Sequence, residues 1–260
     1  MFPDALAGRA LGGIVERTKE IYDIDQETCF DGTADGLRAL MKETGVDISV
    51  VLPIATKPGQ HRTINGFAEE QTRDGLISFA SLHPYDEDTD AILDDIARRG
   101  FLGIKLHPDY QGVFADDERF ISLLNKAHER GLYTVIHSGE DLGMRPPFHC
   151  TADRLAVMLA RTERERVILA HMGGFNIWDD ILDRFCGCGA YFDTSVVSRY
   201  IEPEKYRRII DRHGAEHILF GSDAPWEDPR ESYAMLKNSG ISEEEISLIS
   251  HKNAEKLLGL

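Results

Sequence analysis

The chain has 260 residues, with 29 Lys and Arg against 45 Asp and Glu and a formal net charge of −16. The length suits one large α/β domain, and 42% hydrophobic residues supply a sizeable core. The acidic balance argues against nucleic-acid binding, and no apolar run reaches the roughly 18 residues of a membrane span. We expect one domain over residues 1–260, no nucleic-acid or membrane partner, and a cytoplasmic protein whose four cysteines stay free thiols.

Seven short apolar segments recur along the chain, with amphipathic stretches between them. They are apolar without alternation and lie roughly 25–35 residues apart, which predicts buried parallel strands joined by helices. The segments are 48–54, 76–82, 101–106, 132–137, 167–171, 190–193 and 218–220. This order predicts a TIM-type (β/α)8 barrel whose first strand is missing from the chain, because only loop and helix precede the first predicted helix at about 32–43.

The helical stretches carry their own signals. The segment Ser242-Glu-Glu-Glu-Ile places acidic residues in a first turn, which favours the start of the last helix. Five histidines in predicted helices or at their ends are expected at the surface, namely His61, His128, His213, His217 and His251. An open barrel leaves two unpaired parallel edges, so a homodimer is expected.

Three polar residues close three of the predicted strands: His137, His171 and Asp223. In a parallel barrel the carboxyl ends of the strands converge on one rim, where ligands and metals bind. Two nitrogens and one oxygen suit zinc or a similar divalent ion. Each residue alone could be a hydrogen-bonded core residue or a turn cap, but their joint occurrence at equivalent positions favours a metal or catalytic site.

Several motifs of the chain are similar to those of one enzyme family. They are Phe2-Pro-Asp-Ala, Gly103-Ile-Lys-Leu-His-Pro, Val135-Ile-His-Ser-Gly-Glu, Leu169-Ala-His-Met-Gly-Gly, Gly221-Ser-Asp-Ala-Pro-Trp and Asn253-Ala-Glu-Lys-Leu-Leu-Gly. Over nearly its whole length the chain resembles the amidohydrolase-related branch of the amidohydrolase superfamily, whose members are metal-dependent hydrolases and decarboxylases. The last four motifs together carry most of the resemblance.

The resemblance implies roles for the three strand-end residues. His137 matches a metal ligand, His171 a histidine that transfers protons or polarises the substrate, and Asp223 a metal ligand that also activates water. It implies one divalent ion, zinc or else manganese. The family's HxH motif on the first strand is absent from this sequence. We expect either that the true start lies upstream of Met1 or that the metal site is incomplete.

Further residues are candidates for substrate binding. Lys105 and His107 lie two apart on one strand and share a face, so Lys105 offers a positive charge to an anionic substrate, unless it pairs with an acidic neighbour. His83 and His107 both follow strands in Leu-His-Pro triplets, and either could instead shape a loop. Arg145 follows the fifth predicted barrel strand and is a candidate carboxylate binder, unless it is a solvated surface residue. Trp226 follows Asp223-Ala-Pro and is a candidate wall of the pocket, unless it packs on a neighbouring loop.

Three functions are compatible with these residues. The leading expectation is metal-assisted hydrolysis of a small lactone, ester or amide, with Asp223 as general base and His171 next to the oxyanion. The second is nonoxidative decarboxylation of an unsaturated or aromatic carboxylic acid, in which Lys105 and Arg145 matter more. The third is a non-catalytic barrel with an incomplete metal site. A metal-dependent nuclease is disfavoured by the net charge.

Overall fold

The computed structural model describes all 260 residues and contains seven parallel strands. Each strand falls inside one of the seven predicted segments, with narrower limits. The strands are β1 (Ser49–Val51), β2 (Leu76–Ser78), β3 (Gly103–Leu106), β4 (Tyr133–Ile136), β5 (Val167–Leu169), β6 (Tyr191–Asp193) and β7 (Ile218–Leu219). The prediction of a parallel α/β fold is confirmed.

The strands follow one another around the barrel in chain order. β1 pairs with β2, and β3 to β7 form a second parallel sheet. Ala80 joins the two sheets, because its N–H donates to Gly103 O and its carbonyl accepts from Lys105 N, each at 2.9 Å. The outer edges of β1 and β7 are unpaired, so the barrel is open, and no strand precedes β1, as expected.

Twelve α-helical segments and several tighter or wider turns cover the strands. The helices are α1 (Asp4–Tyr22), α2 (Ala34–Thr44), α3 (His61–Gln71), α4 (Thr89–Arg98), α5 (Pro108–Gln111), α6 (Glu118–Glu129), α7 (Ala152–Leu159), α8 (Trp178–Asp180), α9 (Pro203–His213), α10 (Pro229–Asn238), α11 (Glu243–Ser247) and α12 (Asn253–Leu258). A π-helical turn follows α8 (Ile181–Phe185) and another follows α11 (Leu248–Lys252), and two 3₁₀ turns precede β5 (Arg164–Arg166) and β7 (Ala215–His217). The helix predicted at 32–43 is α2. None of the helices combines the length and apolar character needed to cross a membrane.

The hydrophobic core has two layers, because alternate residues of each strand face opposite sides of the sheet. Ile104, Leu106 and Leu169 belong to a large cluster between strands and helices. A small inner cluster comprises Phe79, Val135, Ile168 and Leu219, contributed by β4, β5 and β7 and by the residue after β2. The inner positions above this layer, toward the carboxyl ends of the strands, include the buried polar residues Ser81, Lys105 and His137. That end of the barrel therefore carries the candidate site.

Two of the five helical histidines expected at the surface are buried. His128 and His213 are each only 5% exposed. The His128 ring contacts Thr134 Oγ1 at 3.1 Å, and the His213 ring stacks on Phe192 with centroids 3.7 Å apart. The expectation was wrong for these two because helical periodicity does not reveal which polar side chain finds a partner beneath the helix.

Candidate metal centre

The predicted strand-end residues lie where a parallel barrel concentrates its chemistry. His137 directly follows β4, and His171 follows β5 by one residue. His171 and Asp223 both have left-handed backbones, with φ of 62° and 53°. Such a conformation is strained for a residue with a side chain and occurs mainly where the surrounding structure enforces it, often at functional sites.

The imidazoles of His137 and His171 face one another. His171 Nε2 lies 3.0 Å from His137 Nδ1. The outer nitrogen of each ring meets a backbone carbonyl: His137 Nε2 donates to Glu140 O at 3.1 Å, and His171 Nδ1 donates to Ser195 O at 2.9 Å. A carbonyl only accepts, so each outer nitrogen carries the hydrogen and each inner nitrogen presents a lone pair. Metal-binding histidines characteristically donate their other N–H in this way.

The backbone and ring of His171 are held by β6 and the loop that follows it. Asp193 Oδ1 accepts from His171 N at 3.0 Å, from Ser195 N at 3.0 Å and from Ser195 Oγ at 2.5 Å. Trp178 Nε1 donates to His171 O at 3.0 Å. These bonds compensate the strained backbone of His171 and fix the direction of its ring.

A second group of donors shares His137. Donor atoms of His107, His137 and Asp141 all lie within 4.8 Å of one another. His107 Nδ1 accepts from Tyr110 N, however, so in the neutral ring Nε2 carries the hydrogen and donates to Asp141 Oδ2 at 3.2 Å. His107 and Asp141 therefore form a hydrogen-bonded pair, and the facing nitrogens of His137 and His171 fit an ion better.

The electrostatics of the site favour a neutral His137. Burial, followed by the nearby His107, His171 and Lys105, lowers the pKa of His137 well below its ordinary value. A metal needs the neutral imidazole as its ligand. Burial is the largest single influence and works to raise the pKa of Asp141, but the hydrogen bond and charge of His107, the Gly143 N–H and the nearby His171 together outweigh it, so the pKa of this carboxyl lies below its usual range.

Lys105 and Asp223 lie close enough for their charges to influence one another. Lys105 is 7% exposed, and its ammonium group has neither an ion pair nor a hydrogen bond within the protein. Burial lowers the pKa of Lys105, against the opposing attraction of Asp223 and Asp193. Asp223 is exposed by its accessible surface, yet the many protein atoms around its carboxyl group displace part of its water and raise its pKa, against the influence of His171 and Lys105.

The remaining predicted residues lie outside this group. His83 Nε2 donates to Gln111 O at 2.9 Å, and its Nδ1 accepts from Tyr85 N at 3.1 Å, so both nitrogens already have backbone partners. Arg145 is exposed on the loop after β4. Trp226 is partly buried, and its N–H closes a turn on Asp223 O at 3.0 Å. The structure brings together His137, His171, His107, Lys105 and Asp223, and leaves these three apart.

Sequence reasoning missed three residues of the site. Asp141 holds the ring of His107, Ser195 holds the ring of His171, and Asp193 accepts from the backbone N–H of His171. Asp193 ends a predicted strand, just as His137 does, and that position was a usable signal. Asp141 lies four residues after His137 but partners His107, and nothing in the sequence indicates that pairing.

The residues of this site fit a divalent ion. The facing lone pairs of His137 and His171 offer two nitrogens of the kind that zinc, manganese and iron accept. The carboxylates of Asp141 and Asp193 lie in the same part of the barrel and supply the negative charge that a cation needs.

Comparison with protein families gives one match. The family model described as amidohydrolase covers residues 25–260, nearly the whole chain. The chain belongs to the amidohydrolase family. Members of this family are barrel enzymes, and the open sheet of this chain follows the same strand order. A sequence comparison with characterised proteins found no significant match.

Solved amidohydrolase structures share the fold. A dihydroxybenzoic acid decarboxylase from Polaromonas, with bound manganese and an inhibitor, aligns with a TM-score of 0.69 at 17% identity, covering 99% of this chain and 94% of that one. The 5-carboxyvanillate decarboxylase of Sphingomonas paucimobilis aligns at 0.65 and 16% identity, over 85% and 82%. A probable 2-pyrone-4,6-dicarboxylic acid hydrolase from Acinetobacter baumannii aligns at 0.65 and 14% identity, over 88% and 90%. At such identities the likeness concerns the fold.

Proposed function

We propose that this amidohydrolase is a metal-dependent nonoxidative decarboxylase of an unsaturated or aromatic carboxylic acid. The observation that carries the proposal is the ammonium group of Lys105, which is buried beside the facing histidines without any ion pair. An unpaired charge in the interior is costly, and an anionic substrate would supply the missing partner.

In this proposal His137 and His171 hold the ion through their facing nitrogens. The ion supplies Lewis acidity that withdraws electron density from a substrate oxygen. Lys105 binds the carboxylate that is lost. The bond between that carboxylate and the adjacent carbon breaks, carbon dioxide leaves, and the electron pair stays on the carbon. Asp223 donates its proton to this carbon and regains one from water.

Two considerations favour decarboxylation over hydrolysis. The protein atoms around the Asp223 carboxyl group raise its pKa, against the opposing effect of His171 and Lys105, and this direction suits a carboxyl group that must be protonated in order to donate. Two of the structural relatives described above are decarboxylases of aromatic acids. Hydrolysis of a lactone, ester or amide is the second candidate, because one relative is a probable lactone hydrolase. In that reaction Asp223 would act as the base toward water.

One experiment separates the two reactions. The protein is loaded with zinc or with manganese and incubated in ¹⁸O-labelled water with 2,6-dihydroxybenzoate, 5-carboxyvanillate and 2-pyrone-4,6-dicarboxylate in turn. Release of carbon dioxide without ¹⁸O in the organic product supports decarboxylation. One ¹⁸O atom in a ring-opened product, with no carbon dioxide, supports hydrolysis and refutes the proposal.

The choice of ligands is tested by metal content. His171→Gln removes an inner nitrogen of the proposed pair, whereas His107→Gln removes a ring that is assigned to hydrogen bonding with Asp141. We expect the first variant to lose the ion and the second to retain it. The reverse pattern would place the ion between His107, His137 and Asp141.

A further inference from the structure

Tyr110 lies at the end of a stack of three rings that leads to the candidate metal centre. Its ring packs flat on His107, with centroids 3.9 Å apart and an interplanar angle of 5°. His107 in turn packs on His137, at 4.0 Å and 9°. Tyr110 belongs to the short helix α5, which directly follows His107 at the carboxyl end of β3. The stack fixes the tyrosine ring relative to the proposed ion ligand His137.

The hydroxyl group of Tyr110 has no hydrogen-bond partner in the protein; only its backbone N–H is bonded, to His107 Nδ1. Burial raises the pKa of Tyr110, so the hydroxyl keeps its proton at any physiological pH. Tyr110 is only partly buried, and its hydroxyl is not among the polar atoms sealed from solvent, so a ligand can reach it. Tyr110 therefore offers an unused donor beside the site.

Arg17 of α1 lies over the outer face of the same tyrosine. Its guanidinium carbon is 5.8 Å from the centroid of the Tyr110 ring, and the group forms no ion pair. The net charge of −16 repels an anionic ligand from most of the protein surface. The unpaired guanidinium of Arg17 counters this repulsion locally. Helix α1 is held against the loop after β4 by a bond from Tyr22 Oη to Met144 O at 2.9 Å.

Gly143 leaves room at the tyrosine hydroxyl. A Cβ atom added to Gly143 would lie 3.1 Å from Tyr110 Oη and 3.1 Å from Asp141 Oδ1. Its backbone does not have a positive φ, so alanine fits the conformation and fills the space between the Tyr110 hydroxyl and the Asp141 carboxylate. The absence of a side chain here keeps the hydroxyl accessible.

We propose that the Tyr110 hydroxyl and the Arg17 guanidinium form a subsite for a second anionic group of the substrate, with Gly143 keeping it open. This inference rests on the proposed function, in which Lys105 binds the first carboxylate. It makes dicarboxylic acids the preferred substrate class. An oxygen of the second carboxylate accepts the hydrogen bond from Tyr110, and Arg17 supplies the opposite charge.

The test compares two probes that differ by one carboxylate. Isothermal titration of the zinc-loaded protein with isophthalate and with benzoate gives the preference for the dicarboxylate as a ratio of dissociation constants. A hydrogen bond to a charged group corresponds to a preference of about 10- to 100-fold. We expect Tyr110→Phe, Arg17→Gln and Gly143→Ala each to reduce this ratio by about tenfold or more while leaving the benzoate constant unchanged.

Matched controls come from the same chain. Arg62→Gln removes another exposed arginine, and Gly66→Ala adds a methyl group where nothing lies within 4 Å. Both should keep the wild-type ratio. A wild-type protein without preference for isophthalate overturns the inference, as does a Tyr110→Phe variant that keeps the preference or weakens both probes equally.

The carbon dioxide assay keeps this inference apart from the proposed function. Preference for isophthalate that depends on Tyr110, without any carbon dioxide release, supports the subsite and contradicts the decarboxylase. Carbon dioxide release from aromatic acids that is equal in wild type and Tyr110→Phe supports the decarboxylase and contradicts the subsite.

Discussion

Replacement of Lys105 by methionine tests the role of the unpaired ammonium group. The substitution removes the charge and keeps a side chain of similar length at a position that is 7% exposed. Removing one partner of a desolvated charge pair costs about 2–5 kcal/mol. At about 1.4 kcal/mol per factor of ten, kcat/KM for decarboxylation should fall by about 30- to 5,000-fold.

The Lys105→Met substitution should not lower the stability of the protein, although it lowers activity. In the free protein the Lys105 charge is compensated only at longer range, first by Asp223 and then by Asp193, so its loss relieves a desolvation cost. We expect the free energy of unfolding in urea to stay constant or to rise. Initial rates of carbon dioxide release give the activity.

The matched control is Lys126→Met, which removes a half-buried lysine that pairs with Asp90 at 2.6 Å, away from the candidate site. Its kcat/KM should equal that of the wild type. If Lys105→Met retains wild-type kcat/KM, the anion-binding role is refuted. If the variant instead loses stability and activity together, Lys105 is part of the core rather than of the substrate site.

Three further perturbations have defined outcomes. Asp223→Asn should lower kcat by about 10²- to 10⁴-fold with the ion still bound, and undiminished turnover would remove Asp223 from the mechanism. Ser242→Ala removes the hydroxyl of the capping box, in which Ser242 Oγ accepts from Glu245 N at 3.2 Å, and should cost about 1 kcal/mol in urea unfolding without affecting turnover. Burial, with a smaller contribution from Arg166, lowers the pKa of His128 from 6.5 to about 4. Between about pH 6.5 and pH 4, His128 is protonated in the unfolded chain but not in the folded one, so the free energy of unfolding decreases as the pH falls through this range. His128→Gln should flatten this pH dependence by up to about 1.4 kcal/mol per pH unit, whereas a variant that keeps the wild-type slope would show that His128 is not the titrating group.

The strands and their order were predictable because burial on both faces leaves a direct mark on the sequence. Each of β1 to β7 is an apolar run without alternation, and the helical stretches between them require parallel pairing. The strand limits were less predictable, because hydrogen bonding ends before the apolar run does. β7, for example, has only the two residues Ile218 and Leu219.

The strand-end histidines of the site could also be predicted from the pattern of buried strands. A polar residue at the end of a buried strand is conspicuous, and His137 and His171 are such residues and lie 3.0 Å apart. The partners that orient them are set by long-range packing: Asp141 contacts His107, 34 residues earlier in the chain, and Ser195 contacts His171 across 24 residues. Local sequence carries no signal for a contact that depends on how two loops meet.

The contacts of helix α1 with the candidate site could not be predicted from the sequence either. Its residues lie before the first predicted strand and were expected only as loop and helix. Yet it brings Arg17 over Tyr110 and Tyr22 onto Met144, beside the candidate site. Neither contact has a periodic or motif signature, because each depends on where a single helix rests on the loop after β4.

The central claim is that the facing nitrogens of His137 and His171 hold a divalent ion in this chain. The most direct measurement is the elemental metal content of the purified protein after exhaustive dialysis, compared with that of His137→Gln and of the exposed-histidine control His251→Gln. We predict about one zinc or manganese ion per chain in the wild type and the control, and none in His137→Gln. Equal metal content in all three proteins, or no metal in the wild type, would contradict the account.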